Sequence, residues 1–257
     1  MATLKVKTDS LNFRSSPEIL TNNIIGALTL AQTVEVISGG ANDRFLKVKA
    51  TINGTTQEGF ASAAFLRPLV SDRKEALISE AVKQWLRFDR GNKVETDRSQ
   101  VGIVGEYWQA LGLNHDGNDR DQAWSAAFIS FVARAAGYTN FKFASAHSTY
   151  VHDAVDKRNT NDASAPFWGF NVGDHKPQLG DLVCRWRGDS PIASMDSIPA
   201  GGFKSHCDII IEIRDTEVRT LGGNVNDSVS IDTYSLDNGG FLKSRSTRVY
   251  GILRNNF

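Results

Sequence analysis

No run of apolar residues in the 257-residue chain approaches the roughly 20 needed to span a membrane. The opening MATLKVKTDS has no apolar centre, so a classical secretory leader is not expected. Work outside the cell would then require non-classical export or lysis. Neither charge sign is in excess: Lys+Arg and Asp+Glu both number 29, which gives no global pull toward nucleic acid or an anionic surface. Cysteine is scarce. Cys184 and Cys207 are the only two, and they form neither a CxxC nor a Cys/His metal spacing. They are expected as buried core thiols, with a disulfide left open. No metal site is visible, and no cofactor is expected.

Hydrophobic residues at 40% and charged residues at 23% are ordinary for a soluble globular chain. Residues 1–70 alternate apolar and polar in LKVKTD, QTVEVISGG and RFLKVKATINGTTQEGFAS, with an Asn53-Gly54 hairpin signal and no helical period. This predicts a small all-β domain. The period then changes. Leu77, Ala81, Trp85 and Phe88 recur at steps of three and four, which predicts a helix capped by Ser71 or Asp72. VGIVGEYWQALGL reads as a second helix. QAWSAAFISFVARAAG reads as a third, with Asp121 as candidate N-cap, Gly137 as stop, and an apolar face of Trp124, Phe128, Phe131, Val132 and Ala135. The expected class is α+β: a small barrel, then helices packed on an antiparallel sheet.

Ser125 falls in the first turn of the third helix. There free backbone N–H groups and the helix dipole favour negative charge and can hold an oxyanion. A hydroxyl needs a general base to attack, so the five histidines matter. His115 and His175 sit in polar loops and are expected to be solvated. His147 and His152 flank STYV, a candidate short helix, at a spacing unsuited to a metal pair. His206 opens SHCDIIIEI, which reads as a strand paired with EVRTLGGNV through Arg214-Asp215-Thr216. If that loop has three residues, Ile213 faces Glu217 and His206 faces Asn224. Asn224 could then orient the imidazole, with Asp208 as a rival. The alternation places Cys207, Ile209, Ile211 and Ile213 on a core face, opposite His206, Asp208, Ile210 and Glu212.

The wording of the segments adds two resemblances. LNFRSSPEI, IIGAL, VEV and EGFASAAFLRPL resemble the bacterial SH3-like (SH3b) domain, with two of that family's aromatic positions altered at Phe60-Ala61 and Phe65. The segment 71–257 is similar to the papain-like CHAP and NlpC cell-wall hydrolases. Four motifs carry this likeness in order: Trp124-Ser125-Ala126-Ala127-Phe128, Pro177-Gln178-Leu179-Gly180-Asp181-Leu182-Val183, Ser205-His206-Cys207-Asp208, and Leu221-Gly222-Gly223-Asn224. The resemblance implies a papain-like domain that hydrolyses amide or peptide bonds of peptidoglycan. Ser125 stands where those families carry Cys. AWSAAFIS with ASAHSTYV resembles a bacterial branch with Ser at this place. Two outcomes stay open: a Ser125-His206-Asn224 site with Asp208 as alternative orienter, or a wall-binding or toxin-associated module that no longer cleaves. Trp124, His147 and Trp186 are the expected substrate contacts. Peptidoglycan or its stem peptides are the expected partner. An immunity protein is a further possible partner, and action at the wall or periplasm is expected.

Overall fold

The computed structural model describes residues 2–40, 43–243 and 248–257. The chain divides into two compact units, residues 1–75 and 76–257. The division falls in the first turn of helix α1 (Asp72–Arg87).

In the first unit the two-residue period of the sequence becomes burial. Strand β5 (Phe45–Ile52) buries Leu46, Val48, Ala50 and Ile52 and turns the residues between them outward. It joins β6 (Thr55–Ser62) through Asn53 and Gly54, both at positive φ (49° and 79°). A two-residue turn of this hand matches the twist of the strands, and glycine adopts it without steric cost. With β1 (Thr3–Val6), β2 (Ser10–Arg14), β3 (Ile24–Thr29), β4 (Thr33–Ser38) and β7 (Leu66–Pro68), these strands form one antiparallel sheet in the order β3-β2-β6-β5-β4-β1-β7. Its core gathers Val6, Phe13, Leu28, Val34 and Val48.

The second unit is helices packed on an antiparallel sheet. Helix α1 buries Leu77, Ala81 and Trp85, and Phe88 follows it into the core. Helix α2 (Val101–Gln109) buries Val104, Tyr107 and Trp108. Helix α3 (Ser125–Ala135) is buried almost all round from Ser125 to Ser130, the pattern of a helix inside a core. It ends as its glycine suggests. Gly137 takes φ 80°, its N–H bonds the Arg134 carbonyl, and the Tyr138 N–H bonds the Ala133 carbonyl, which satisfies the last carbonyls. Two expectations fail here. Trp124, not Asp121, is the N-cap, and no side chain caps the helix. Ala135 is exposed, turned to the outer side of a last turn whose Val132, Ala133 and Ala136 stay buried. The STYV segment opens a longer helix than expected, α4 (His147–Asn159).

Six strands complete the unit: β8 (Phe167–Phe170), β9 (Leu182–Trp186), β10 (Ser205–Ile213), β11 (Glu217–Val225), β12 (Ser228–Ser235) and β13 (Val249–Asn255). Their order is β12-β11-β10-β9-β13-β8, so β13 lies between two strands that precede it. Asp181 ties this arrangement together. Its fully buried carboxylate accepts from the Asn255 N–H on β13, the Gln178 N–H and His175 Nε2, at 2.8 Å each. His175 is therefore a partly buried partner of Asp181, not the solvated residue expected, because the loop folds back on the carboxylate.

The β10–β11 hairpin keeps the expected register at Ile209↔Leu221 and Ile210↔Thr220. It shifts by one toward the turn, where Ile213 pairs with Val218 rather than Glu217. A bulge between Ile210 and Glu212 absorbs the residue. Beyond it Ile213 leaves the expected core face and is 42% exposed. Cys184 and Cys207 face each other across β9 and β10 as buried free thiols, Sγ to Sγ 3.1 Å. No helix among the described residues is long and apolar enough to cross a membrane.

Helix α3 packs directly on β11 and β10. Gly223 permits this approach. A Cβ there would lie 2.4 Å from Phe128 Cβ and 2.8 Å from the Trp124 ring. Gly223→Ala is accordingly expected to cost about 1–3 kcal/mol by overpacking, read as a lower urea midpoint. An unchanged midpoint would mean that α3 can shift on the sheet.

Candidate functional site

The first turn of α3, the start of α4, and the adjoining ends of β9, β10 and β11 enclose a cavity of about 340 Å³. Ser125, His147, His206 and Asn224 all line it. The hydrogen-bond partner of Ser125 is His147, not the expected His206: Oγ lies 2.6 Å from His147 Nε2. The other ring nitrogen of His147, Nδ1, bonds the Tyr150 hydroxyl one turn along α4. A second polar pair lies alongside. His206 Nε2 is 2.6 Å from Asp208 Oδ1, and the Tyr234 hydroxyl donates to Asp208 Oδ2 at 2.7 Å. The two imidazole rings are 5.3 Å apart, centroid to centroid.

Local structure explains each placement. His147 is the first residue of α4, after an extended Ala146. The segment before it is pinned to α3 by Ser130, fully buried, whose hydroxyl donates to the Ala144 carbonyl at 2.8 Å and accepts from the Ala144 N–H at 3.0 Å. That clamp brings His147 over Ser125. The Leu-Gly-Gly-Asn motif serves three purposes in sequence. Gly222 leaves room for Asp208, since a Cβ there would fall 1.8 Å from Oδ1. Gly223 admits Phe128. Asn224 takes φ 56°, where the β11–β12 ladder breaks between Gly222 and Val225, and so faces the cavity.

Asn224 makes no hydrogen bond to His206 among the described residues. Asp208 is the residue bonded to that imidazole. About 7 Å separates residues two apart on one strand face, and the His206 and Asp208 side chains close it by leaning toward each other. Trp124, expected as a substrate contact, does not line the cavity. It is 1% exposed, stacks on Phe88 at 5.8 Å, and donates its indole N–H to Glu95. Trp186 does not line the cavity, and its ring lies under the Arg248 guanidinium at 4.6 Å. Sequence reasoning missed Tyr150, Ser130 and Tyr234. The first had a signal in the His147-x-x-Tyr150 spacing, readable once α4 begins at His147.

Electrostatics separates the two pairs. Burial drives the His147 pKa well below its ordinary value, and the neighbouring His206 pushes the same way, so the ring is neutral. A neutral ring with its proton on Nδ1, donated to Tyr150, leaves Nε2 free to accept from Ser125. Burial also keeps Tyr150 a neutral phenol. For Asp208 burial acts upward, but His206, Arg185 and Tyr234 outweigh it and hold the carboxyl at about 2. The site thus offers a hydroxyl, an accepting imidazole, and a fixed carboxylate whose field favours a charge on His147. The first-turn amides of α3 lie beside the hydroxyl, where a helix leaves N–H groups unpaired. Among the described residues no cluster of His, Cys, Asp or Glu is placed to hold a metal ion.

A profile of the family described as "Uncharacterized protein conserved in bacteria (DUF2272)" matches residues 81–255. The chain belongs to the DUF2272 family. The match covers nearly all of the second unit and every residue of the two polar pairs. No curated protein matches this DUF2272 chain. Among solved structures, NlpC2 from Trichomonas vaginalis aligns over 99% of this chain and 72% of its own, at 11% identity and a TM-score of 0.33. That score is too low to bear on fold or activity.

Protonation of His147 should track stability. Its pKa in the folded state lies below the ordinary 6.5, so the unfolded chain binds more protons as pH falls through that value. The urea midpoint is expected to drop from about pH 7 to about pH 5, and to drop less in His147→Gln. The Asp208 contribution has a different window. It is present above the ordinary 3.8 and is lost as pH falls toward about 2. Asp208→Asn, which disturbs the buried hydrogen bonds from His206 and Tyr234, is expected to cost about 1–3 kcal/mol at neutral pH. Parallel pH profiles for the parent and His147→Gln would contradict this assignment.

Proposed function

We propose that the second unit is a serine hydrolase on a papain-like frame that cleaves amide or peptide bonds of peptidoglycan. The observation that carries the reading is the Ser125–His147 hydrogen bond, set at the open end of a buried helix inside a cavity. The four ordered motifs support the frame and the substrate class. Ser125 Oγ attacks the carbonyl carbon while His147 Nε2 takes its proton. The oxyanion is held by first-turn amides of α3. His147 then gives the proton to the leaving amine, and an ester on Ser125 remains. Water, deprotonated by the same nitrogen, releases the acid. Tyr150 orients the His147 ring. Asp208 supplies a negative field that favours an imidazolium at His147, while His206 opposes it; the base expected at His206 from sequence is here assigned to His147. Asn224 and the cavity rim meet the substrate.

The first unit is proposed as an SH3-like module that holds the wall. Its own cavity of about 670 Å³ lies between β2 and Phe65 and suits an extended ligand. Action at the wall completes the reading.

The test is release of fragments from purified peptidoglycan, read by mass spectrometry. The parent should release them. Ser125→Ala and His147→Ala should each lose about 10³-fold or more in rate. His206→Ala should lose less. Because His147 is neutral below its ordinary value, the acid limb of the rate should lie below about pH 6.5. A folded parent that pellets with the wall but releases nothing would mark a binding module instead.

A further inference from the structure

Strands β9 and β10 leave the cavity at Arg187 and Lys204. The Arg187 N–H donates to the Lys204 carbonyl at 3.0 Å, one step beyond the Ser205↔Trp186 pair. The same ladder pairs His206 with Arg185. Opposed residues share a face, and so do residues two apart. Arg185, Arg187, Lys204 and His206 therefore crowd one face of the sheet. Two of the four are answered. Arg185 pairs with Asp232 at 3.0 Å and His206 with Asp208. Arg187 and Lys204 are exposed, and no carboxylate among the described residues bonds either. Both line the cavity of Ser125 and His147, and no Asp or Glu lines it with them. Arg187 also borders an adjoining polar cavity of about 440 Å³ with Arg185 and Asn224, whose two acids are Asp232, already paired, and Asp227. Like charges directly opposed on a sheet repel. A ligand anion would relieve that repulsion at a place where the substrate must lie.

We infer that the cavity takes an anionic substrate, and that Arg187 and Lys204 grip a carboxylate next to the scissile amide. This rests on the hydrolase reading of Ser125. The guanidinium fork suits a carboxylate in two-point contact, and the flexible ammonium follows it. The pair selects the substrate and positions its amide. It takes no part in bond making.

The test uses Ser125→Ala protein, which cannot turn substrate over, and calorimetric titration at fixed ionic strength. The probes are N-acetyl-Ala-Glu-Ala-amide, its Gln counterpart, the Gln peptide with a free C-terminal acid, and soluble wall stem peptides before and after conversion of their carboxyls to amides. A carboxylate form should bind about tenfold tighter than its amide. The Glu and free-acid peptides distinguish a side-chain carboxylate from a terminal one. In Arg187→Gln/Lys204→Gln the ratio should fall to about one, while Arg187→Lys should keep part of it. Both positions are exposed, so an unchanged thermal midpoint will show that the variants fold. Equal binding of acid and amide forms, a preference that survives the double change, or no binding by any probe overturns the inference. Fragment release by the parent would still stand in that case. Conversely, a preference confined to the N-acetyl peptides would keep the anion site and remove the wall as substrate.

Discussion

A carboxylate with no access to solvent sits in the middle of the second sheet, and the site is arranged around it. Burying Asp208 alone would cost several kcal/mol or force it to take up a proton. It stays ionised because His206, Tyr234 and Arg185 face it from three strands, and because Gly222 gives it space. Those partners are held in register by β9, β10, β11 and β12. His147, itself without a carboxylate, lies in the field of this anion. Had Asp208 been neutral, His147 would lose the carboxylate whose field favours a charge on it.

The remaining geometry is a matter of close approach. Helix α3 can supply its open end only because it lies tight on β11, which the bare backbone of Gly223 allows. Helix α4 can supply His147 only because Ser130 on α3 fastens the chain ahead of it. Small residues at Gly222, Gly223 and Ser130 thus do the positioning, and Ser125, His147, His206 and Asp208 are what they position. This is the expected division of labour where side chains must be locked by their neighbours.

Much of the architecture was readable because periodicity records burial. The alternation in β5, the Asn53-Gly54 turn, the apolar stripe of α1 and the glycine stop of α3 are local signals with local causes. The inner register of β10 on β11 was also readable, although the bulge at Ile210–Glu212 was not, since one extra residue leaves no trace in composition. The site was less legible. Ser125 stood out by its place in a helix turn. Its partner did not, because pairing arithmetic reaches only along a sheet, whereas His147 arrives on a separate helix. A helix that begins at the histidine itself, with a tyrosine one turn on, is visible only once its start is known. Trp124 misled for the opposite reason: proximity in sequence to Ser125 says nothing of which way a ring turns.

The order of strands carries one more consequence. Strand β13 is inserted between β9 and β8, with the Asn255 N–H closing on Asp181. During synthesis both neighbours therefore emerge with an open edge and wait for a strand made much later. Until it arrives, the hairpins of the sheet's other half can pair locally, but β8 has no place of its own. The long-range step in building this sheet is thus the docking of β13. The cavity of Ser125 and His147, which adjoins β9 and β10, is completed only after β13 has been made.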